Sequence, residues 1–279
     1  MGTQPSPASL RPSLAASPLS LGTPINAPAF PTSASRLDIL RRFDEAFSEV
    51  PARESHEIEE AYRLRYQVYC LDRGFEEATA CPSGMEKDRF DDYALHSLLA
   101  ERTSRRTIGT VRLVKPAAAP NWFSRLPLAE YADVDSVEEL MRLPAGSTAE
   151  VSRFAIARSA LSQLRVMATE GDASVPNWRE KLLPYMSLGL IRGLVRQSLA
   201  HGVTHWCLAA EPSLLRRLRT FGLHFKNAGP LVDHRGLRQV CYAELSSLLE
   251  RAEAERPEFW HIITQGGFLL PADAARNAA

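Results

Sequence analysis

Charged side chains sit inside runs that otherwise read as buried strands and helix faces, and this narrows what the chain can fold into. Arg112 interrupts the strand-like run TIGTVRLV, and Glu150 and Arg153 interrupt AEVSRFAIA. Arg65 falls within the stripe Ile58, Tyr62, Arg65, Tyr69, whose members recur every three or four residues. A buried charge is costly unless it is paired and hydrogen-bonded. Each of these groups therefore requires an opposite charge or a substrate ion beside it. The segment GMEKDRFDDY offers Glu86, Asp88, Asp91 and Asp92 as partners. In AEVSRF, strict alternation would place Glu150, Ser152 and Phe154 on one face and Arg153 on the other.

The periodicity around these positions predicts the elements that carry them. Leu37, Leu40, Phe43 and Phe47 recur at helical spacing, and a second helix is expected from about Ser55, as N-cap, to about Leu71. Ala94–Glu101 and Thr107–Val114 read as a hairpin around TSRR, ended by Pro116 and Pro120. A third strand is expected over Ala149–Ala157, then a helix over Pro184–Ala200 with Gly202 beyond it, then a short strand Thr204–Ala209. Pro212–Phe221 reads as a basic helix stopped by Gly222, and His224–Leu231 with Leu237–Leu245 as a closing hairpin around DHRG. This order predicts an α+β domain built on a mixed sheet. The domain is expected over residues 37–265. Residues 1–36, rich in Pro, Ser and Ala, are expected to be disordered, and residues 266–279 to form a flexible tail.

Composition limits the setting. Lys plus Arg number 33 and Asp plus Glu number 33, so no whole-molecule field favours nucleic acid. No apolar run reaches the roughly 18 residues of a membrane span, and prolines break up any secretory signal. Cys70, Cys81, Cys207 and Cys241 show no paired spacing and read as reduced thiols. A soluble cytoplasmic protein is expected. The acidic run lacks the order and the glycine of a calcium loop, and no metal is expected there.

The plain reading of Arg65, Arg112 and the acidic run is an ion-pair network that fixes a helix to the sheet. Their order and spacing also carry a resemblance. Arg65-x-x-x-Tyr69, Phe75, Glu86-x-Asp88-x-x-Asp91, Gly109-Thr-x-Arg112-Leu and Glu150-Val-Ser-Arg153-Phe154 together resemble the autoinducer synthases, which make acyl-homoserine lactones. The series is also similar to long-chain N-acyl amino acid synthases and to acyltransferases of the exosortase, PEP-CTERM sorting system, all relatives of the GNAT N-acetyltransferases. EPSLLRRLRTFGLHFKNAGPLVDHRGLRQVCY most resembles the exosortase-associated members. Phe75 stands where the lactone synthases usually have tryptophan, and no R/Q-x-x-G-x-G/A loop for coenzyme A pyrophosphate is visible.

The resemblance implies a single GNAT-like domain, with a mostly antiparallel, twisted mixed sheet, flanking helices and a V-shaped splay between two central strands. It implies acyl transfer to an amino acid or similar small amine. The donor would be a thioester on the phosphopantetheine of acyl carrier protein, or on coenzyme A, with no permanently bound cofactor. Glu86 or Glu150 would be the base, and Ser152 would donate a hydrogen bond to the thiolate or tetrahedral oxygen. Arg65, Tyr69, Phe75, Asp88, Asp91, Arg112, Arg153, Phe154 and Trp206 would bind or orient substrate. Arg216, Arg217, Arg219 and Lys226 would dock the acidic carrier protein. The alternatives are a lactone-type synthase using S-adenosylmethionine and a non-catalytic lipid- or carrier-binding module.

Overall fold

Three largely buried strands, Ala94–Glu101, Thr107–Val114 and Thr148–Ile156, set the centre of the fold. The computed structural model describes residues 41–159, 162, 182 and 185–271. The expected tail at 1–36, the helix start at Leu37 and Leu40, Pro184, and the end of the C-terminal tail lie outside the described residues. The strands are β1 (Phe47–Ala52), β2 (Ala94–Glu101), β3 (Thr107–Val114), β4 (Thr148–Ile156), β5 (His205–Ala210), β6 (Lys226–Asp233) and β7 (Leu237–Glu244). They form one sheet in the order β1-β2-β3-β4-β5-β7-β6. All neighbours are antiparallel except β4 and β5. A parallel pair needs a long crossover, and the helix Met186–Ala200 lies on it. The architecture is α+β, a mostly antiparallel mixed sheet with flanking helices.

The helices are α1 (Ser55–Arg65), α2 (Val134–Leu140), α3 (Met186–Ala200), α4 (Pro212–Thr220), α5 (Leu245–Glu255) and α6 (Pro257–Thr264). Several differ from the sequence expectation. Residues 41–46 are helical, but Phe47 opens β1 instead of continuing the helix, because the free edge of β2 pairs with it from Phe47↔Glu101 to Ala52↔His96. Glu54, not Ser55, is the N-cap of α1. The Glu57 carboxylate accepts the N–H groups of Arg53 at 2.7 Å and Glu54 at 3.0 Å. Beyond Arg65 the chain winds more widely, as π-helix over Tyr66–Asp72. Helix α2, capped where Asp133 Oδ1 accepts the Ser136 N–H at 3.0 Å, lies in a stretch with no element expected, and so do α5 and α6.

Alternation along β2 divides the sheet's two faces. Leu98 packs with Ala52, Ile58 and Ala61 under α1, whereas Ser97 and Leu99 face α3. The α3 side is tight. A Cβ on Gly193 would lie 2.6 Å from Ser97 Cβ, and one on Gly189 would lie 2.5 Å from Leu99 Cδ1. Gly→Ala in a helix normally adds roughly 0.5–1 kcal/mol of stability. At Gly193 the obstructing atom is fixed to the β2 backbone and cannot swing aside, so overpacking wins. Gly193→Ala is expected to destabilise by about 1–2 kcal/mol, read as a lower urea midpoint. On the α1 side, Phe90, Val114, Trp122, Phe123, Leu126, Leu128, Leu140, Cys207 and Val240 form a buried cluster that walls the site described next.

Candidate functional site

The ladder between β4 and β5 has three rungs, Thr148↔His205, Ala149↔Trp206 and Glu150↔Cys207. Both strands continue past Glu150, β4 to Ile156 and β5 to Ala210, without pairing to each other. The two strands therefore part at Glu150, which gives the expected V-shaped splay between central strands.

Beside this opening lies a chain of guanidinium–carboxylate pairs. Arg65, wholly buried at the end of α1, donates from Nε to Glu86 at 2.5 Å and from Nη1 and Nη2 to Asp91 at 2.7 and 3.1 Å. Arg112 on β3 donates from Nη1 to Asp88 at 2.7 Å and Asp91 at 3.0 Å, and from Nε to Ser152 Oγ at 3.0 Å. Arg153 donates from Nη2 to Glu86 at 2.9 Å, to Asp88 at 3.2 Å and to Glu76 at 3.3 Å. Asp91 also accepts the Asp88 N–H at 2.8 Å and has His96 Nε2 at 3.5 Å. The requirement that Arg65 meet a carboxylate is met twice.

Arg153 is not on the far face. Between Thr110↔Ala155 and Arg112↔Ser152, one residue of β3 opposes two of β4, so β4 carries a bulge at Arg153 and Phe154. Arg153 adopts a left-handed backbone there, with φ of 51°. The extra residue breaks the alternation and brings Arg153 onto the side of Ser152 and Arg112. The Tyr69 ring lies 5.3 Å beneath the Arg153 guanidinium, and the Tyr69 hydroxyl donates to the Phe154 carbonyl at 3.4 Å. Phe75 lies against Tyr69, with ring centroids 6.3 Å apart.

Electrostatics separates the two candidate bases. Burial would raise the Glu86 carboxyl, but Arg65 and Arg153 outweigh it and hold it down at about 2. Asp91 is likewise held well below the carboxylate range, its burial overcome by Arg65 and Arg112. Glu150 is 1% exposed and outside the chain of pairs; its Oε2 accepts the Leu128 N–H at 2.8 Å. Burial pushes its carboxyl up to about 8, against the opposing pull of that N–H and of Arg112 and Arg153. Burial, aided by Arg65, lowers the His96 imidazole to about 4 and leaves it neutral at neutral pH.

These shifts give stability a definite pH dependence. The lowered carboxyls of Glu86 and Asp91 contribute stability that is full above their unfolded values, near 4.5 for Glu. That contribution is lost as pH falls, for Glu86 through about 2. Glu150 has the opposite sign, since its raised carboxyl favours the fold below 4.5 and loses that contribution as pH rises through about 8. Melting temperature is therefore expected to fall steeply between pH 4.5 and pH 2, and Glu86→Gln to flatten that acid limb.

The remaining candidates lie elsewhere. Trp206 is core, 1% exposed, its indole N–H donating to Ser198 Oγ on α3 at 2.8 Å. Arg216, Arg217 and Arg219 are exposed on α4, and Lys226 is exposed at the start of β6. Sequence reasoning missed a second ring of residues contributed by the β6–β7 turn. His234 stacks on Tyr131 with ring centroids 3.8 Å apart, and Arg235 grips Glu76, with Nη2 to Oε2 at 2.8 Å. Arg238 lies over Phe75 at 5.6 Å and pairs with Glu211 at 2.8 Å. Burial, with the Glu150 charge, raises the Tyr131 phenol. DHRG carries a turn signal in sequence but nothing that says which residues it folds onto.

The seven-stranded mixed sheet and the splay between β4 and β5 give a GNAT-like fold. In agreement, residues 64–167 match the family described as the acetyltransferase (GNAT) domain. Among solved structures, the chain is similar to BjaI, a CoA-dependent acyl-homoserine lactone synthase solved with SAM and isopentyl-CoA. That match has 16% identity and a TM-score of 0.51, over 84% of this chain and 98% of that one. TofI, solved in a ternary complex with an inhibitor and MTA, matches at 18% identity and a TM-score of 0.50, over 76% and 99% of the two chains. FeeM, an N-acyl amino acid synthase from uncultured soil microbes, matches at 15% identity with a TM-score of 0.45, over 74% and 93%. No curated protein matches the sequence. No helix among the described residues is long and apolar enough to cross a membrane.

Proposed function

We propose that the chain transfers a fatty acyl group from a thioester to the amine of a small acceptor, with Glu150 as general base. The supporting observation is the position of Glu150, on the last rung before β4 and β5 part, with its carboxyl raised to about 8. A base with a value near working pH is ionised often enough to act and basic enough to take a proton from an ammonium group. Glu86 is a poorer base, because Arg65 and Arg153 bind both of its oxygens.

In this reading the pantetheine arm lies in the splay, with the thioester carbonyl near the β4 bulge. The amine loses a proton to Glu150 and attacks the carbonyl carbon. Backbone N–H groups at the bulge are the proposed donors to the tetrahedral oxygen. The intermediate then collapses to the amide as the carbon–sulfur bond breaks, and the second proton on the former amine nitrogen passes to the departing sulfur, which leaves as a thiol. Ser152 Oγ already accepts from Arg112, so its own O–H is placed to donate a hydrogen bond to the departing sulfur.

The donor is proposed to be acyl carrier protein, docked on Arg216, Arg217, Arg219 and Lys226, which offer positive charge to an acidic partner. The likeness of EPSLLRRLRTFGLHFKNAGPLVDHRGLRQVCY supports grouping the chain with exosortase-associated acyltransferases. Purified protein mixed with acyl carrier protein thioesters or acyl-coenzyme A and a panel of amines is expected to yield an amide detectable by mass spectrometry. No amide with any amine, and no thiol release, would sink the proposal. Release of MTA from SAM would instead identify a lactone-type synthase.

A further inference from the structure

Two of the four non-glycine residues with left-handed backbone among the described residues are Arg153, at φ 51°, and Arg235, at φ 54°. They belong to different elements, the β4 bulge and the β6–β7 turn, yet both guanidiniums reach one carboxylate, that of Glu76. Arg153 Nη2 meets Glu76 Oε1 at 3.3 Å, Arg235 Nη2 meets Oε2 at 2.8 Å, and Arg235 Nη1 also pairs with Oε1. Left-handed backbone is strained for an L-residue with a side chain, and such strain persists at ligand clamps where the surroundings enforce it.

Charge in the cluster is balanced only when Glu76 is present. Arg65, Arg112, Arg153 and Arg235 face Glu76, Glu86, Asp88 and Asp91, one carboxylate for each guanidinium. Glu86 and Asp91 are buried between two arginines each. Glu76 lies on the loop after the π-helical turn with 19% of its side chain exposed; Asp88 is as open, but it caps the next turn through the Phe90 N–H and holds Arg112 and Arg153, so Glu76 is the member that can leave. Its departure uncovers one unit of positive charge beside Tyr69 and Phe75, at the open side of the splay.

We propose that Arg153 and Arg235 form a clamp for the carboxylate of the acceptor or product, held by Glu76 as an internal stand-in until a ligand carboxylate displaces it. This rests on the acyl-transfer reading with an amino acid acceptor, and adds to it the two residues that would hold the acceptor's carboxylate and the internal group that occupies them beforehand. It also makes Arg235 the residue that selects such an acceptor. A planar guanidinium fork suits a carboxylate in a way that the point charge of lysine does not.

Calorimetric titration of the full chain with N-dodecanoylglycine and with N-methyldodecanamide, which lacks only the carboxylate, tests the clamp. The carboxylated ligand is expected to bind roughly 10- to 100-fold more tightly, the range for a charge-assisted pair. Arg235→Gln is expected to erase that preference, and Glu76→Gln, which removes the competitor, to strengthen it. Arg235→Gly is expected to lose the preference while raising the melting temperature, because it relieves the left-handed strain; a purely structural arginine would lower it. Equal binding of the two ligands, binding of neither, or a preference untouched by Arg235→Gln overturns the clamp. Acyl transfer to a simple alkylamine by the same preparation would show the proposed function standing when the clamp falls.

Discussion

Glu150→Gln is expected to lower turnover by roughly 100- to 10,000-fold, the usual contribution of a positioned general base. The side chain keeps its shape, and the amide oxygen of Gln still accepts the Leu128 N–H, so the fold is expected to be unaffected. Below about 8 the native Glu150 is mainly neutral, and Gln imitates that form. The readout is therefore kinetic. In the wild type the rate should rise with pH and level off above about 8, because only the ionised carboxylate takes a proton. In Glu150→Gln that limb should be missing. A variant that retained both the rate and the limb would place the base elsewhere. Glu150→Asp keeps the charge one methylene further back, and an intermediate loss is expected.

The second large effect concerns stability. Arg65→Met removes the single cation that joins Glu86 to Asp91 at the foot of α1 and leaves two buried carboxylates short of a partner. Breaking a buried pair from one side costs about 3–5 kcal/mol, more than the net value of an intact pair, because the abandoned charge remains desolvated. For a domain of this size that corresponds to a fall in melting temperature of roughly 10 °C or more. Arg65→Lys should recover only part of it, since one ammonium cannot reproduce the fork that reaches both carboxylates. Adding Glu86→Gln to Arg65→Met should restore stability in part by removing one stranded charge. If the double variant is no more stable than Arg65→Met alone, the loss comes from packing against Tyr62 and not from stranded charge.

The contrast between these residues shows which features local sequence could carry. Arg65 was legible because an arginine in an apolar helical stripe has to be paired, and the acidic run around Glu86 and Asp91 was the obvious partner. Strands β2 and β3 were legible to their ends, since two largely apolar runs separated by the polar turn TSRR and ended by two prolines leave little choice. Leu245, Leu248, Leu249 and Ala252 repeat at helical spacing, so α5 also carries a signal in the sequence. Strand β1 had a weaker one, because Phe43 and Phe47 fit a helix equally well until the edge of β2 is in place.

The charged residues within apolar runs thus determined, from the sequence alone, that a helix, an acidic loop and two sheet strands must meet in a paired cluster. Their order supplied the likeness to acyl-transferring synthases. Only the tertiary structure decided how they meet. The bulge in β4 turned Arg153 toward the cluster, against the alternation of its own strand. The parting of β4 and β5 left Glu150 buried at the cleft and separated it electrostatically from Glu86. The β6–β7 turn brought His234 onto Tyr131 and Arg235 onto Glu76. The physical reason is the same in each case. Pairing requirements and periodicity are local properties of a sequence, whereas burial, strand register and the distance between charges far apart in the chain exist only once the sheet has formed.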